Sequence, residues 1–413
     1  MKVLLFSQVM YGGAWRRNYN VLKTMREVDR KIDYVLLLEA SNVKLVPNIN
    51  EVIAELKELY DVKFVKLPLR ALYRFTPLHY TYVSKLGETF YEIAKKEKAD
   101  LIYVPHEVDW WILAAKNASK GTLPWTSLFH SMPLFVCLST PSPRGAISTL
   151  LEAPSLAYKR FKTARGLYRY FRLQWLINAL EKTLSLSVSE SITRDLKTFY
   201  PWLTIRTLTP GVGIDLSYMS SIPASPDNFD AIYFTSELIP HKGFLELPMI
   251  WKRVVQSIPE ARLLVVGRAQ KRYQEQFSDL LEKFDLKKNI ILCDLLPHDE
   301  LISLVKSSTV TIYPSRFDAF PLVVMESLAS GVPVVAYDIP AVRLNYVTNS
   351  VVKCSVNDVE CMATNVVNIL SDDNLRKNLS QEATKYAANF SWENVAKEEA
   401  KGYLKVLDFW SSK

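Results

Sequence analysis

The sequence predicts an α/β protein of two doubly wound domains, each a parallel β-sheet with helices on both faces. Three observations predict it. The chain has 413 residues, too many for one ordinary domain and suited to two of roughly 200 each. Short apolar, β-branched runs alternate with amphipathic stretches almost from end to end. Each run is continuously hydrophobic, as strands buried on both faces are.

In the first half the strand-like runs are 3–7, 34–38, 62–67, 101–104, 126–130, 184–188 and 205–208, with helix-period segments at 14–28, 51–59, 82–96 and 110–118. In the second half the runs are 231–235, 262–266, 290–293, 310–313 and 333–336, and the helices lie near 245–257, 270–284, 297–307, 322–330 and 359–370. Two such series in succession imply two domains with a cleft between them. The seam is expected near Thr209-Pro210-Gly211-Val212-Gly213-Ile214-Asp215, where Pro and Gly punctuation is densest. That divides the chain into domains 1–209 and 210–390, with 217–230 reading as a linker or surface loop.

Composition narrows the class. Hydrophobic residues make up 49% and charged residues 23%, which supplies packed cores and excludes a disordered or fibrous chain. No apolar stretch approaches the roughly 20 residues of a membrane span. The N-terminus enters a strand-like run at once, without a small-residue cleavage site, so a secreted or integral membrane protein is not expected. Cys137, Cys293, Cys354 and Cys361 form no Cys-x-x-Cys pair and have no histidine nearby. That speaks against zinc and against a disulfide framework, and for a reduced cytosolic compartment. The net charge of +8 is unevenly placed. Residues 1–200 hold 29 Lys+Arg and 18 Asp+Glu, or +11, and residues 201–413 hold 22 and 25, or −3. A basic half suits an anionic surface or an anionic substrate.

The segment richest in chemistry is Tyr313-Pro314-Ser315-Arg316-Phe317-Asp318-Ala319-Phe320-Pro321-Leu322-Val323-Val324-Met325-Glu326, continuing to Gly331-Val332-Pro333-Val334-Val335. A buried strand ends at Pro314, a loop carries Asp318, and a helix beginning near Pro321 holds Glu326 about one turn in. Both carboxylates then face the carboxyl end of the sheet, where ligands of open α/β sheets bind. The helix start offers unpaired N–H groups and a positive dipole end, a seat for a diphosphate. A carboxylate one turn in suits a ribose diol. The plainer reading is an N-capping Asp and a surface Glu on an ordinary helix.

This segment resembles the donor-binding signature of retaining GT-B glycosyltransferases of family 4: Pro-Ser, an acid, Phe-Gly, and Glu eight positions after the first acid. Asp318 stands at the first acid, Phe320-Pro321 at Phe-Gly and Glu326 at the second acid. Tyr11-Gly12-Gly13 resembles the family's glycine loop, and Thr209-Pro210-Gly211-Val212 with Asp215 the inter-domain motif. Pro240-His241-Lys242-Gly243 resembles the turn whose lysine contacts the diphosphate, and Val265-Val266-Gly267 the close of a nucleotide-domain strand.

The resemblance implies a GT-B fold, two Rossmann-like domains facing across a cleft, with the acceptor on the first domain and a nucleotide-activated sugar on the second. A final helix near 392–409 is expected to cross back onto the first domain. Glu326 would hold the ribose hydroxyls, Asp318 would orient the sugar, and Lys242 with the backbone N–H groups of Leu322 and Val323 would stabilise the leaving diphosphate. Gly12 and Gly13 would approach the donor, and Phe320 and Arg268 would line its site. His130 matches the family histidine beside the donor sugar, although a lone histidine is equally read as a satisfied core residue. For His106 acceptor-side and core readings both stand. The implied reaction is transfer of a hexose to a hydroxyl of a glycan or lipid-linked acceptor with retention. No cofactor beyond the donor substrate and no metal are expected, because no Asp-x-Asp cluster is present.

Three departures stand against this. Glu237 occupies the place of a usual phosphate-clamping Arg, so either another base (Arg16, Arg268 or Arg316) compensates or the donor differs. Pro321 replaces Gly and removes an N–H. Arg268 stands where an acid is common. A non-catalytic sugar- or membrane-binding subunit of the same fold is the rival reading, and a sugar-nucleotide epimerase the next.

The basic half adds one feature. Lys162, Arg165, Arg169 and Arg172 fall on one helical stripe beside Phe161, Tyr168, Phe171 and Trp175, and Arg70-Ala71-Leu72-Tyr73-Arg74-Phe75 repeats the theme. Two readings fit: an interfacial helix on anionic lipid, or a solvated basic face over an aromatic core face. With the first, the expected location is the cytoplasm, at the inner face of the cell membrane. No nucleic-acid module accompanies the charges, so no nucleic-acid partner is expected.

Overall fold

The computed structural model describes residues 1–8, 13–39, 49–65, 78–106, 109–130, 176 and 178–413. They form two compact units, Met1–Gly213 with Trp392–Lys413, and Ile214–Ser391.

In the first unit β1 (Lys2–Gln8), α1 (Gly13–Val28), β2 (Asp33–Glu39), α2 (Ile49–Leu59), β3 (Asp61–Val65), α3 (Leu78–Glu97), β4 (Leu101–Val104), α4 (Asp109–Ser119), β5 (Trp125–Phe129), β6 (Ser185–Ser187), α5 (Glu190–Phe199) and β7 (Ile205–Thr207) follow one another. Seven parallel strands lie in the order β3-β2-β1-β4-β5-β6-β7. Val3, Leu4, Leu5 and Phe6 of β1, and Leu101 to Val104 of β4, are fully buried, as a two-faced sheet requires. The order reverses between β1 and β4. Ligands of open sheets sit beyond the carboxyl ends of the strands at such a reversal.

The second unit holds α6 (Leu216–Ser221), β8 (Phe229–Leu238), α7 (Leu247–Ser257), β9 (Leu263–Ala269), α8 (Lys271–Lys283), β10 (Ile290–Cys293), α9 (His298–Lys306), β11 (Ser308–Tyr313), α10 (Leu322–Ala329), β12 (Val334–Tyr337), α11 (Pro340–Asn345), β13 (Val351–Cys354), α12 (Val359–Ser371) and α13 (Asp373–Ala387). Its six strands run parallel in the order β10-β9-β8-β11-β12-β13. Here the reversal falls between β8 and β11.

The chain then returns to the first unit as α14 (Trp392–Ser411), which packs along α1. A buried ion pair joins Arg17 on α1 to Glu399 on α14, each about 2% exposed. Tyr403 donates to Glu399 at 2.6 Å and meets Tyr34 of β2 at 3.1 Å. Gly402 lets α14 lie close, since a Cβ there would come within 3.1 Å of Leu208. Arg17 Nε also donates to the Gly211 carbonyl at 2.9 Å.

Three readings need correction. The stretch 217–230 is not all linker: α6 lies in it, capped by Asp215, which accepts from Tyr218 N at 2.9 Å, and its Met219 is buried in the core. Ser and Met there are adequate helix formers once the cap is in place. The apolar pattern shows neither strand β13, where Lys353 interrupts the run Val351-Val352-Lys353-Cys354, nor helices α11 and α13. Cys354 and Cys361 are disulfide-bonded. Cys354 closes β13 and Cys361 lies in the first turn of α12, whose cap Asp358 accepts from Cys361 N. The strand–turn–helix geometry brings the Cα atoms to 5.7 Å, inside bonding range, which sequence spacing alone does not reveal. No helix among the described residues is long and apolar enough to cross a membrane.

Candidate active site

Two charged side chains meet where the second sheet reverses. The segment after β8 turns through a 3₁₀ turn, Pro240–Lys242, and Gly243 ends it with φ +80°. A Cβ at Gly243 would fall 2.1 Å from the Pro314 carbonyl, so only glycine lets this turn lie against the end of β11. Arg316 N donates to the His241 carbonyl at 2.9 Å, which ties the two loops together. The Lys242 ammonium thereby reaches Asp318 Oδ2 at 2.5 Å. Asp318 also accepts from the Tyr313 hydroxyl and, at Oδ1, from Ala319 N at 2.8 Å. Burial, and then the Asp318 charge, push the Tyr313 hydroxyl far above its usual range, so it remains a donor. Asp318 and Lys242 are about one-fifth exposed and open to solvent at one side.

Just beyond lies the start of α10. Its first backbone bond runs from Val324 N to the Pro321 carbonyl at 3.1 Å, so the N–H groups of Leu322 and Val323 precede the helix ladder. The Tyr346 hydroxyl donates to the same carbonyl at 2.7 Å, and its ring packs on Phe320 at 5.6 Å. Pro321 is thus the cap position, where its missing N–H is not part of the ladder. Burial and the charges of Asp318, Tyr386 and Glu326 raise the Tyr346 hydroxyl well above its usual range. Both carboxylates therefore act on one neighbourhood.

Glu326 faces α9. His298 Nε2 lies 3.1 Å from Glu326 Oε1, and His298 Nδ1 lies 3.1 Å from the Tyr218 hydroxyl. The Tyr218 ring stacks on the imidazole at 5.7 Å, 10° from parallel, and its hydroxyl also bonds Asp299. The pattern reading missed His298 and Tyr218. The signal was present in Pro297-His298-Asp299-Glu300, a helix start at the carboxyl end of a strand.

Other expected residues stand apart from this centre. Arg316 pairs with the buried Glu246, which also accepts from Tyr337, so it braces the loop. Arg268 meets Asp294 at 3.6 Å, both largely exposed. It is also the register partner of Glu237 beyond the irregularity in β8, so the acid and the base lie side by side. Arg16 is exposed on α1. Gly13 opens α1. Gly12, the stripe Lys162, Arg165, Arg169 and Arg172, and residues 70–75 lie outside the described residues. Among the described residues no group of three or more His, Cys, Asp or Glu is placed to hold a metal ion.

The first unit has its own polar cluster at the β1/β4 reversal. His106 is 3% exposed; its Nε2 lies 2.8 Å from Ser7 Oγ and 3.3 Å from Asn18 Nδ2. The amide nitrogen only donates, so His106 Nε2 accepts and the ring is neutral. Burial, then the Arg17 charge, lower His106 to about 3. His130 Nε2 donates to the Pro105 carbonyl at 3.1 Å, and the two rings lie 6.0 Å apart. Burial, Arg17 and His106 hold His130 well below its usual range.

Residues 219–386 match the family model described as Glycosyl transferases group 1, a span that includes Lys242, Asp318 and Glu326. The chain is 30% identical over 219 residues to D-inositol 3-phosphate glycosyltransferase of Corynebacterium diphtheriae, covering 50% of each. It is 25% identical over 235 residues to glycogen synthase of Mycobacterium tuberculosis, covering 56% of this chain and 55% of that one. The chain spans about half the length of the curated relatives it matches. Among solved structures, a glycosyltransferase from Rickettsia africae aligns with TM-score 0.69 at 15% identity over 98% of both chains. Anabaena HepE, in complex with UDP and glucose, aligns with TM-score 0.65 at 16% identity over 98% of this chain and 100% of that one. The fold is GT-B, and the matches support a glycosyltransferase family.

Proposed function

We propose that the chain is a retaining glycosyltransferase that moves a hexose from a nucleoside-diphosphate sugar to a hydroxyl of a glycan or lipid-linked acceptor. The observation that carries this reading is the Lys242–Asp318 pair, 2.5 Å apart, beside the first N–H groups of a helix whose second turn holds Glu326. Three kinds of recognition stand within a few residues: a cation and helix N-terminus for phosphates, a carboxylate for sugar hydroxyls, and a carboxylate for a ribose diol. The group 1 match over this segment, and the UDP named with HepE, support a nucleotide-sugar donor.

In the proposed step the bond between the anomeric carbon and the departing phosphate oxygen breaks, and a bond to the acceptor oxygen forms on the same face. The departing phosphate takes the acceptor proton. Lys242 and the N–H groups of Leu322 and Val323 hold the charge that grows on the diphosphate, the largest contribution expected of fixed residues. Asp318 keeps two of its bonds, from Tyr313 and Ala319, when Lys242 turns to the phosphates, and so keeps its place beside the sugar. No step uses a metal. On this reading the first unit binds the acceptor, with His106 on the acceptor side, and the enzyme works in the cytoplasm at the inner membrane face.

Product formation from radiolabelled donor sugars tests the reading, with Asp318→Ala and Glu326→Ala beside wild type. Loss of about 100-fold or more in either variant supports it. Wild-type rates in both, or an inactive wild type that still binds sugar or lipid, favour the non-catalytic reading.

A further inference from the structure

The proposed ribose carboxylate is not free to choose its own position. Glu326 sits on the outer side of α10 with a long side chain, about 17% exposed, and an unrestrained glutamate loses rotamer freedom on being fixed. Here one oxygen is already fixed. His298 Nε2 lies 3.1 Å from Oε1, and since a carboxylate only accepts, that nitrogen carries the proton. Oε2 has no hydrogen-bond partner among the described residues, which leaves it to accept. The imidazole is itself held. It lies flat against the Tyr218 ring, and its Nδ1 meets the Tyr218 hydroxyl. Tyr218 is fixed in turn by Asp299 and by the Asp215 cap of its own helix. Three separate helices, α6, α9 and α10, thus converge on one carboxylate oxygen, all within the second unit.

We propose that His298 is a positioning residue for the donor site: it pins Glu326 Oε1 so that the carboxylate meets a ribose 2′,3′-diol without losing rotamer freedom on binding. This rests on the reading of Glu326 as the ribose carboxylate. The role shows as selectivity for the diol, which a merely structural histidine does not change.

The test titrates UDP, GDP and ADP into the full chain by calorimetry, takes the tightest, and compares it with its 2′,3′-dideoxy form. Wild type is expected to favour the diol by about tenfold or more. His298→Ala is expected to bring the ratio to within about twofold of one. His298→Gln, whose amide N–H reaches the place of Nε2, is expected to restore most of it. Glu326→Gln is expected to lose the ratio too, and the double variant Glu326→Gln with His298→Ala to lose nothing further. His298→Ala with the wild-type ratio, or with both nucleotides weakened by one common factor, overturns the proposal while a Glu326→Gln loss keeps the ribose reading. A wild-type ratio in Glu326→Gln, or no binding of any of the three nucleotides, overturns the reading and the proposal together.

Discussion

The two sheets end in polar clusters of opposite character. At the β8/β11 reversal of the second unit stand Lys242 paired with Asp318 and His298 bonded to Glu326, between 17% and 28% exposed. At the β1/β4 reversal of the first unit stand the buried Ser7, Asn18 and His106 and the part-buried His130, with the nearby Arg17 paired to Glu399. On the proposed reading this difference is a division of labour. A leaving diphosphate needs a cation and dipole ends that solvent does not quench, whereas a neutral hydroxyl acceptor needs shape and hydrogen bonds.

The largest effect expected lies in the first unit. Glu399→Ala leaves Arg17 charged and buried, and loss of one partner of such a pair costs about 3–5 kcal/mol. Urea unfolding is expected to show that loss, and Arg17→Met with Glu399→Leu together to cost much less. Equal losses in the single and double variants would break the view of this pair as scaffold. Next comes Lys242→Met, expected to lower turnover by about 10²–10³-fold. Its stability change is expected to be about 1 kcal/mol or less, because the pair is partly exposed. A variant that loses stability but keeps its rate would exchange the roles of the two clusters.

A smaller effect sharpens the contrast in acid. His106 takes a proton only near pH 3 in the fold, against about 6.5 in the unfolded chain. Between those values the unfolded state binds more protons, so stability rises with pH and is lost as pH falls below about 6.5. The slope from one such histidine reaches at most about 1.4 kcal/mol per pH unit. His106→Asn is expected to flatten the curve between about pH 6.5 and 4.5. An unchanged slope would mean that the imidazole is already charged in the fold.

The same contrast explains what was legible in the sequence. Asp318 and Glu326 lie eight residues apart on a single loop and helix, so local period placed both, and the glycine at 243 marked the turn carrying Lys242. His298 and Tyr218 come from other helices and reach Glu326 only through the sheet order, which no local pattern displays. Ser7, Asn18 and His106 are joined in the same non-local way by the parallel pairing of β1 with β4. The Cys354–Cys361 bond was misread because composition argues about compartments, whereas a strand end and a helix start argue about distance. Arg316 is one of three bases that could stand in for the missing clamp, and its partner Glu246, 70 residues away and buried, is not visible in any local pattern.

The most direct test is a thermal-shift panel of UDP-, GDP- and ADP-sugars against wild type, Asp318→Asn and Glu326→Gln. Ligand that binds only the folded chain at about 100 times its Kd stabilises by about 2.7 kcal/mol, a shift of several degrees. If Asp318 and Glu326 hold the donor, at least one donor raises the wild-type melting temperature, and the shift disappears in Glu326→Gln and shrinks in Asp318→Asn. Equal shifts in all three proteins, or none in any, would contradict that role.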